Sequence, residues 1–150
     1  NFHIPSLDTV VQGHYYQLWT RSYASKILFE PLAILYFDFY IHSNYAIREI
    51  QKVLIARGHA VDADNVPGAE TIDAINSDKN PSALHDAILD AREAYLREVA
   101  GYGSNAQFLP GWLARLREFP RLSVGVGTGL ILLSIIVFII WRQNRIHQTK

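Results

Sequence analysis

Apolar residues recur at helical spacing over most of the first 120 positions. In the first segment, Val11, Tyr15, Leu18 and Trp19 fall on one face at intervals of three or four residues, which indicates an amphipathic helix. Residues 32–41 (LAILYFDFYI) are apolar except for one Asp. They predict a buried helix, with a strand as the alternative because aromatic residues also favour strands.

Two shorter helices are predicted on either side of a polar loop. Residues 45–58 (YAIREIQKVLIARG) carry an apolar stripe and end at Gly58, a residue type that commonly terminates helices. The next stretch is rich in Asp, Asn, Pro and Gly, as turns require. A short helix is expected to follow over residues 69–75 (AETIDAI).

A long helix and a last short helix complete this region. Asn80 and Pro81 are typical of a helix N-terminus, and Gly101 is expected to end the helix that they begin. Pro110 opens a final amphipathic segment. The pattern therefore predicts an all-α domain over residues 1–120.

The chain changes character after this domain. Residues 122–141 (LSVGVGTGLILLSIIVFIIW) contain no charged side chain, and at about 1.5 Å per residue such a stretch crosses a hydrocarbon core of about 30 Å. We predict one transmembrane helix over residues 121–141 and a short basic tail over residues 142–150. Gly125 and Gly129 would offer other transmembrane helices a strip for close packing.

The ends of the predicted span suggest an anchor without fixing its orientation. Trp141 and Arg142 stand at its end, where an aromatic ring and a cation commonly mark the membrane interface. Basic residues on the two sides of the span are equal in number, so the positive-inside rule does not decide which side faces the cytoplasm. Membrane lipid and the helices or subunits of a larger complex are the expected partners.

Composition removes several classes of function. The formal net charge is zero, which offers no basic field for nucleic acid. Cysteine is absent, so thiolate metal sites and cysteine nucleophiles are excluded. The six His residues show no ligand spacing, and we expect neither a metal nor another cofactor.

Three stretches carry recognisable motifs in a fixed order: residues 14–54, residues 66–76 and residues 91–116. They resemble glycoside hydrolase family 108, the phage-type N-acetylmuramidases whose C-terminal half is a predicted peptidoglycan-binding region. The GW-x-x-R element of the third stretch is the most specific match. The positions that match, expected to be structural, are Phe37, Asp38, Gln51, Gly68, Thr71, Arg92, Gly111, Trp112 and Arg115.

The resemblance implies a fold class and a location. The expected fold is a small, all-α, lysozyme-like or peptidoglycan-binding helical domain, to which the uncharged stretch adds one C-terminal transmembrane helix that we do not associate with the family's phage members. The expected location is a bacterial inner membrane, crossed once, with the helical domain in the periplasm. An organellar membrane fits the sequence as well, and peptidoglycan joins the candidate partners.

The departures from the family concern its catalytic part. The family places its catalytic Glu in an E-G-G motif near the N-terminus, and no E-G-G occurs here. We expect the chain to begin downstream of that motif. The family's N-s-G reads His42, Ser43 and Asn44, and its D-G falls within residues 62–65 (DADN).

Asp38 is the most interesting carboxyl group among those present. Phe37 and Phe39 flank it within an apolar run, and desolvation there would raise its pKa, as a general acid requires. The alternative, which we favour, is a structural Asp that caps a neighbouring helix or accepts from a backbone N–H. No catalytic residue is assigned.

Aromatic residues supply the remaining functional interpretation. Tyr15, Tyr16, Trp19, Tyr40 and Trp112 would stack on sugar rings if they lined one groove, whereas core packing is the alternative for both Trp residues. The main hypothesis is a membrane-anchored, non-catalytic, muramidase-like module for peptidoglycan binding or scaffolding. The alternatives are an accessory subunit that reuses the fold for protein contacts, and an active muramidase whose Glu segment is missing from this chain.

Overall fold

Six α-helices and two short 3₁₀ turns make up the part of the chain that the computed structural model describes, residues 5–123. No strand occurs among these residues, which confirms the predicted all-α class. The 3₁₀ turns are Ala24–Lys26 and Asn105–Phe108. The α-helices are α1 (Pro5–Arg21), α2 (Glu30–His42), α3 (Ala46–Ala56), α4 (Ala69–Ser77), α5 (Pro81–Ala100) and α6 (Leu109–Leu116).

Helix ends fall where the capping residues predicted them. The side chain of Asn80 accepts from the backbone N–H of Ala83 at 3.0 Å, so α5 begins with a satisfied N-cap. Gly58 (φ 92°) and Gly103 (φ 58°) follow the ends of α3 and α5. Both lie in the left-handed region, which glycine enters without steric cost.

The centre of the core is α2, which explains why its sequence is apolar on every side. Leu32, Leu35, Tyr36 and Phe39 of this helix are at most 1% exposed. The Tyr36 hydroxyl donates to the backbone oxygen of Ser22 at 2.8 Å, so the polar end of this buried ring is satisfied. The core is completed by α3 and α5, which contribute Ile50, Leu54, Leu84 and Ile88.

The apolar face predicted for α1 is covered only at its C-terminal end. Leu18 and Trp19 are half-buried, whereas Val11 and Tyr15 are 45% and 49% exposed. The first helix therefore leaves an apolar surface facing solvent within residues 5–123.

Membrane crossing concerns a different part of the chain. Within residues 5–123, no helix combines the length and the apolar character that a membrane span needs. The transmembrane prediction falls, from residue 124 onward, outside the described residues. The same holds for Gly125, Gly129, Trp141, Arg142 and the tail at residues 142–150.

Candidate functional site

Asp38 lies at the meeting point of three helices. From α5, Arg92 Nη2 donates to its Oδ2 at 2.7 Å, and from α6, Arg115 Nη2 donates to its Oδ1. The ring of His42 lies 3.6 Å from the same carboxylate. Three residues of the resemblance, Asp38, Arg92 and Arg115, thus form one ionic cluster.

This cluster lowers the pKa of Asp38, which argues against a general acid and agrees with the structural Asp that we favoured. Burial alone would raise its pKa, but the hydrogen bonds and charges of Arg115 and Arg92 outweigh burial and hold it below its usual range. We expected a structural Asp38 to bind a helix end or a backbone N–H. That expectation was wrong about its partners, which are the guanidinium groups of Arg92 and Arg115. At neutral pH the Asp38 carboxylate is ionised and already accepts hydrogen bonds from two Arg side chains, whereas a general acid must carry a proton.

The Arg92 side chain is enclosed by aromatic rings. It is 4% exposed, and its guanidinium carbon lies 5.2 Å from the centre of the Phe39 ring and 5.7 Å from that of Phe119. Burial lowers its pKa, and Asp38 opposes that effect. One amino group, Nη1, is buried without a hydrogen-bond partner among the described residues, so the charge of Arg92 depends on Asp38 for its compensation.

A second cluster of motif residues ties the loop between α3 and α4 to the core. Gln51 is 2% exposed, and its Nε2 donates to Asp64 Oδ1 at 2.8 Å and to Thr71 Oγ1 at 3.1 Å. Its Oε1 accepts from the backbone N–H of Asn65 at 2.9 Å. Gln51 and Thr71, which match the family motif, therefore define the path of this loop.

Asn65 occupies a left-handed backbone conformation, with φ 65°. The family has a D-G pair in this region, and Asp64 with Asn65 supplies an equivalent because Asn tolerates a positive φ better than most residues. Its side chain also accepts from the N–H of Arg48 at 3.0 Å and donates to the carbonyl of Asn44 at 2.7 Å. Asn65 thus forms this turn at a positive φ and contributes two hydrogen bonds to it.

Two motif glycines have no such explanation. Gly68 has an extended backbone, with φ −162°, which any residue adopts. A Cβ atom added at Gly68 or Gly111 would meet nothing within 4 Å, so nothing in the structure explains a glycine at either position.

The five aromatic candidates for glycan stacking have different surroundings within residues 5–123. Trp19 packs edge-on against Phe37, with ring centres 5.0 Å apart, beside the core. Trp112 packs on Phe108, with ring centres 6.0 Å apart. The other two candidates on α1 point to solvent: Tyr15 is 49% and Tyr16 is 72% exposed.

The fifth candidate, Tyr40, lines a cleft of about 410 Å³ where α2 passes into α3. Leu18 of α1 closes one side, and Asn65 and Pro67 of the following loop close another. Ser43 and Asn44 also line this cleft. Ser43 and Asn44 were not among the predicted site residues, and the signal that could have indicated them is their position at the N-s-G motif of the resemblance.

A further polar cluster holds the first residues of the predicted span, Leu122 and Ser123, against the helical domain. Asp86 of α5 is 6% exposed and accepts from the N–H groups of Leu122 and Ser123, both at 2.9 Å, and from the Ser123 hydroxyl. Burial would raise the pKa of Asp86, but these donors and His85 outweigh it and lower the pKa to about 2. No sequence motif pointed to this cluster, which we call the Asp86 clamp.

A metal site finds no support in this part of the molecule. Across residues 5–123, no group of three or more His, Cys, Asp or Glu side chains is arranged to hold a metal ion. The chemistry available at the cleft is therefore that of neutral hydrogen-bonding groups and an aromatic ring.

Comparison with known proteins gives one match. Residues 45–117 match the family model described as "Predicted Peptidoglycan domain". No curated protein and no solved structure matches the chain significantly. The matched region runs from the start of α3 to the end of α6 and contains Gln51, Thr71, Arg92 and Arg115. It supports a peptidoglycan-binding role.

Proposed function

We propose that this chain is a membrane-anchored, non-catalytic, muramidase-like protein whose helical domain binds peptidoglycan. The observation that carries the proposal is the match of residues 45–117 to a peptidoglycan domain. Both clusters of motif residues support it: the bond between Gln51 and Thr71 joins α3 to α4 inside that region, and the bond between Arg92 and Asp38 joins the region to α2.

The carboxyl groups of the described residues support a non-catalytic role. A glycoside hydrolase needs a carboxylic acid whose pKa is raised, so that it is protonated when substrate binds. Within residues 5–123, the acidic side chains with a resolved shift all have a lowered pKa, because hydrogen-bond donors surround them: Asp38, Asp64, Asp78 and Asp86. None of these four suits a general acid.

Membrane anchoring rests on the uncharged stretch at residues 122–141. Such a stretch is long enough to cross a bilayer once. We propose a bacterial inner membrane with the helical domain on the periplasmic side, where peptidoglycan is within reach. Cell fractionation, followed by protease treatment of intact spheroplasts, tests this arrangement; a domain that stays protected would contradict it.

Cosedimentation tests the binding function. The full chain, in mild detergent, is mixed with purified peptidoglycan sacculi and centrifuged, with an unrelated membrane protein of similar size as the control. We expect retention in the pellet above the control and no fall in the turbidity of the sacculi. Equal retention would refute peptidoglycan binding, and clearing of the suspension would favour the active muramidase.

An accessory subunit is the second candidate, and the exposed face of α1 favours it. Val10, Val11, Tyr15 and Tyr16 are between 45% and 72% exposed, and apolar residues clustered on one helix often mark a protein contact. The size of the particle extracted from its native membrane in mild detergent decides this. A particle the size of one chain would argue against the subunit.

A further inference from the structure

We propose that the cleft between α2 and α3 binds the N-acetylated sugar of a glycan strand and not the charged peptide attached to it. This inference rests on the proposed peptidoglycan function and names the ligand class of one site. It starts from Tyr40, which alone among the five aromatic candidates lines this cleft.

The cleft has the size and the walls of a sugar site. Its volume of about 410 Å³ lies in the range of small-ligand pockets, about 300–1,000 Å³. Apolar side chains of Leu18, Ile41 and Ile47 line it together with the half-buried ring of Tyr40. An aromatic ring beside aliphatic carbons suits the C–H face of a pyranose.

Polar groups of the cleft remain available to a ligand. The Asn44 side chain makes no hydrogen bond within residues 5–123, and neither does the Tyr40 hydroxyl. The Ser43 hydroxyl accepts from the N–H of Tyr45 at 3.2 Å, which leaves its own proton free to be donated. An Asn amide offers one acceptor and two donors, the complement of an acetamido group.

Among the described residues, no charged side chain lines the cleft. This favours the neutral sugar of peptidoglycan over its charged peptide. A peptide with free carboxylates would lose hydration in this cleft and find no cation to replace it. By contrast, two other clefts in residues 5–123 hold charges: Asp62, Asp64 and Glu70 line one, and Glu93 and Arg117 line another. The neutral acetamido sugar is therefore the part that this cleft suits.

The motif residues hold the cleft in shape. Gln51 fixes the backbone of Asn65, and Asn65 in turn donates to the carbonyl of Asn44 at 2.7 Å. Asn65 and Pro67 form one wall of the cleft, and Asn44 forms another. Because these residues are hydrogen-bonded to each other before the ligand binds, less conformational entropy is lost on binding.

Ligand-observed NMR tests the proposal on the full chain in mild detergent. The probes are the β-1,4-linked tetramer of N-acetylglucosamine, cellotetraose (the neutral tetramer without acetamido groups) and a free stem peptide. Saturation transfer to the acetyl methyl protons reports binding directly. We expect the N-acetylated tetramer to bind at least about tenfold more tightly than either other probe, since an unmatched amide of the site weakens the wrong ligand.

Two variants and a control locate the site. We expect Asn44→Ala, at an exposed position, and Tyr40→Phe, which keeps the ring, each to weaken the tetramer by about fivefold or more. Tyr102→Ala, 65% exposed in the turn after α5, serves as the control and should bind as the parent does. Equal binding by parent and both cleft variants would overturn the assignment.

The results separate this inference from the proposed function. A chain that sediments with sacculi but ignores the N-acetylated tetramer would refute the sugar site and leave peptidoglycan binding standing. A chain that binds the tetramer through Asn44 but not sacculi would refute the peptidoglycan function and support the site. Binding of the stem peptide that Asn44→Ala abolishes would overturn the choice of the sugar.

Discussion

Replacing Asp38 by Ala removes the anion from the Asp38–Arg92–Arg115 cluster and leaves two guanidinium groups facing each other. Arg92 cannot escape to water, because its side chain is 4% exposed and its Nη1 already lacks a partner in the described residues. Arg115 can escape, because its side chain is 49% exposed. The perturbation is therefore a buried and uncompensated charge at Arg92.

The burial of Arg92 sets the expected loss of stability. Removing one partner of a buried ion pair destabilises a protein by about 3–5 kcal/mol, and Asp38→Ala falls in that range. Arg115→Ala removes the exposed partner and leaves the pair of Asp38 and Arg92 intact, so we expect a loss of about 1 kcal/mol or less. The combination of Asp38→Leu with Arg92→Met removes both buried charges and should recover most of the loss.

Urea unfolding of the full chain in mild detergent measures these differences, with near-UV circular dichroism as the signal for aromatic packing. At a slope of about 2 kcal/mol per molar urea, Asp38→Ala should lower the midpoint by about 2 M. Asp73→Ala, at an exposed position on α4, is the matched control and should change it by less than about 0.3 M.

The ranking of the variants is what refutes or supports the reasoning. If Asp38→Ala costs no more than Arg115→Ala, the buried charge of Arg92 does not need Asp38. If the double variant is less stable than Asp38→Ala, the cluster contributes through its geometry and not through charge compensation. Either result would contradict the account of Asp38 given above.

Three further predictions concern the other polar clusters. Gln51→Leu removes the hydrogen bonds that Gln51 makes to the loop before α4, and it should lower the free energy of unfolding by about 2–3 kcal/mol. We expect faster amide hydrogen exchange at Asn65 and unchanged exchange in α5. Slow exchange at Asn65 would contradict this prediction. Because the pKa of Asp86 falls from 3.8 to about 2 on folding, its ionised form stabilises the protein by about 2 kcal/mol above pH 4. That contribution is lost as the pH falls toward 2, and Asp86→Asn should flatten acid-unfolding curves in this window. Asn65→Gly keeps the positive φ but loses the two side-chain hydrogen bonds of Asn65, and it should cost about 1–2 kcal/mol. Asn65→Val should cost more than Asn65→Gly, because a β-branched residue also resists a positive φ; thermal melts of the two variants compare them, and equal melting temperatures would contradict the prediction.

The helices could be predicted because their signals are local. Asn80 begins α5 and Gly58 follows the end of α3, and each acts on its own helix end through neighbouring backbone. The buried character of residues 32–41 was equally plain, since α2 is the centre of the core. These features can be predicted without knowing the tertiary contacts.

The partners of Asp38 could not be predicted because they are not local in sequence. Its neighbours in sequence, Phe37 and Phe39, suggested desolvation, but its partners Arg92 and Arg115 come from 54 and 77 residues away. Long-range ion pairs invert the direction of a pKa shift that neighbouring residues would give. The resemblance named all three residues of this cluster, yet only the fold shows that they meet.

The Asp86 clamp bears on what an anchored domain could do. Leu122 and Ser123 donate their backbone N–H groups to Asp86, and these are the groups that a helix starting there would leave unsatisfied. A carboxylate at that place stabilises the N-terminus of such a helix through its dipole. If the chain is anchored as proposed, the Asp86 clamp would hold residues 122 and 123 against the helical domain and so restrict how far the domain reaches from the membrane. That restriction suits binding at a fixed distance better than lysis, which requires an enzyme to move through the wall.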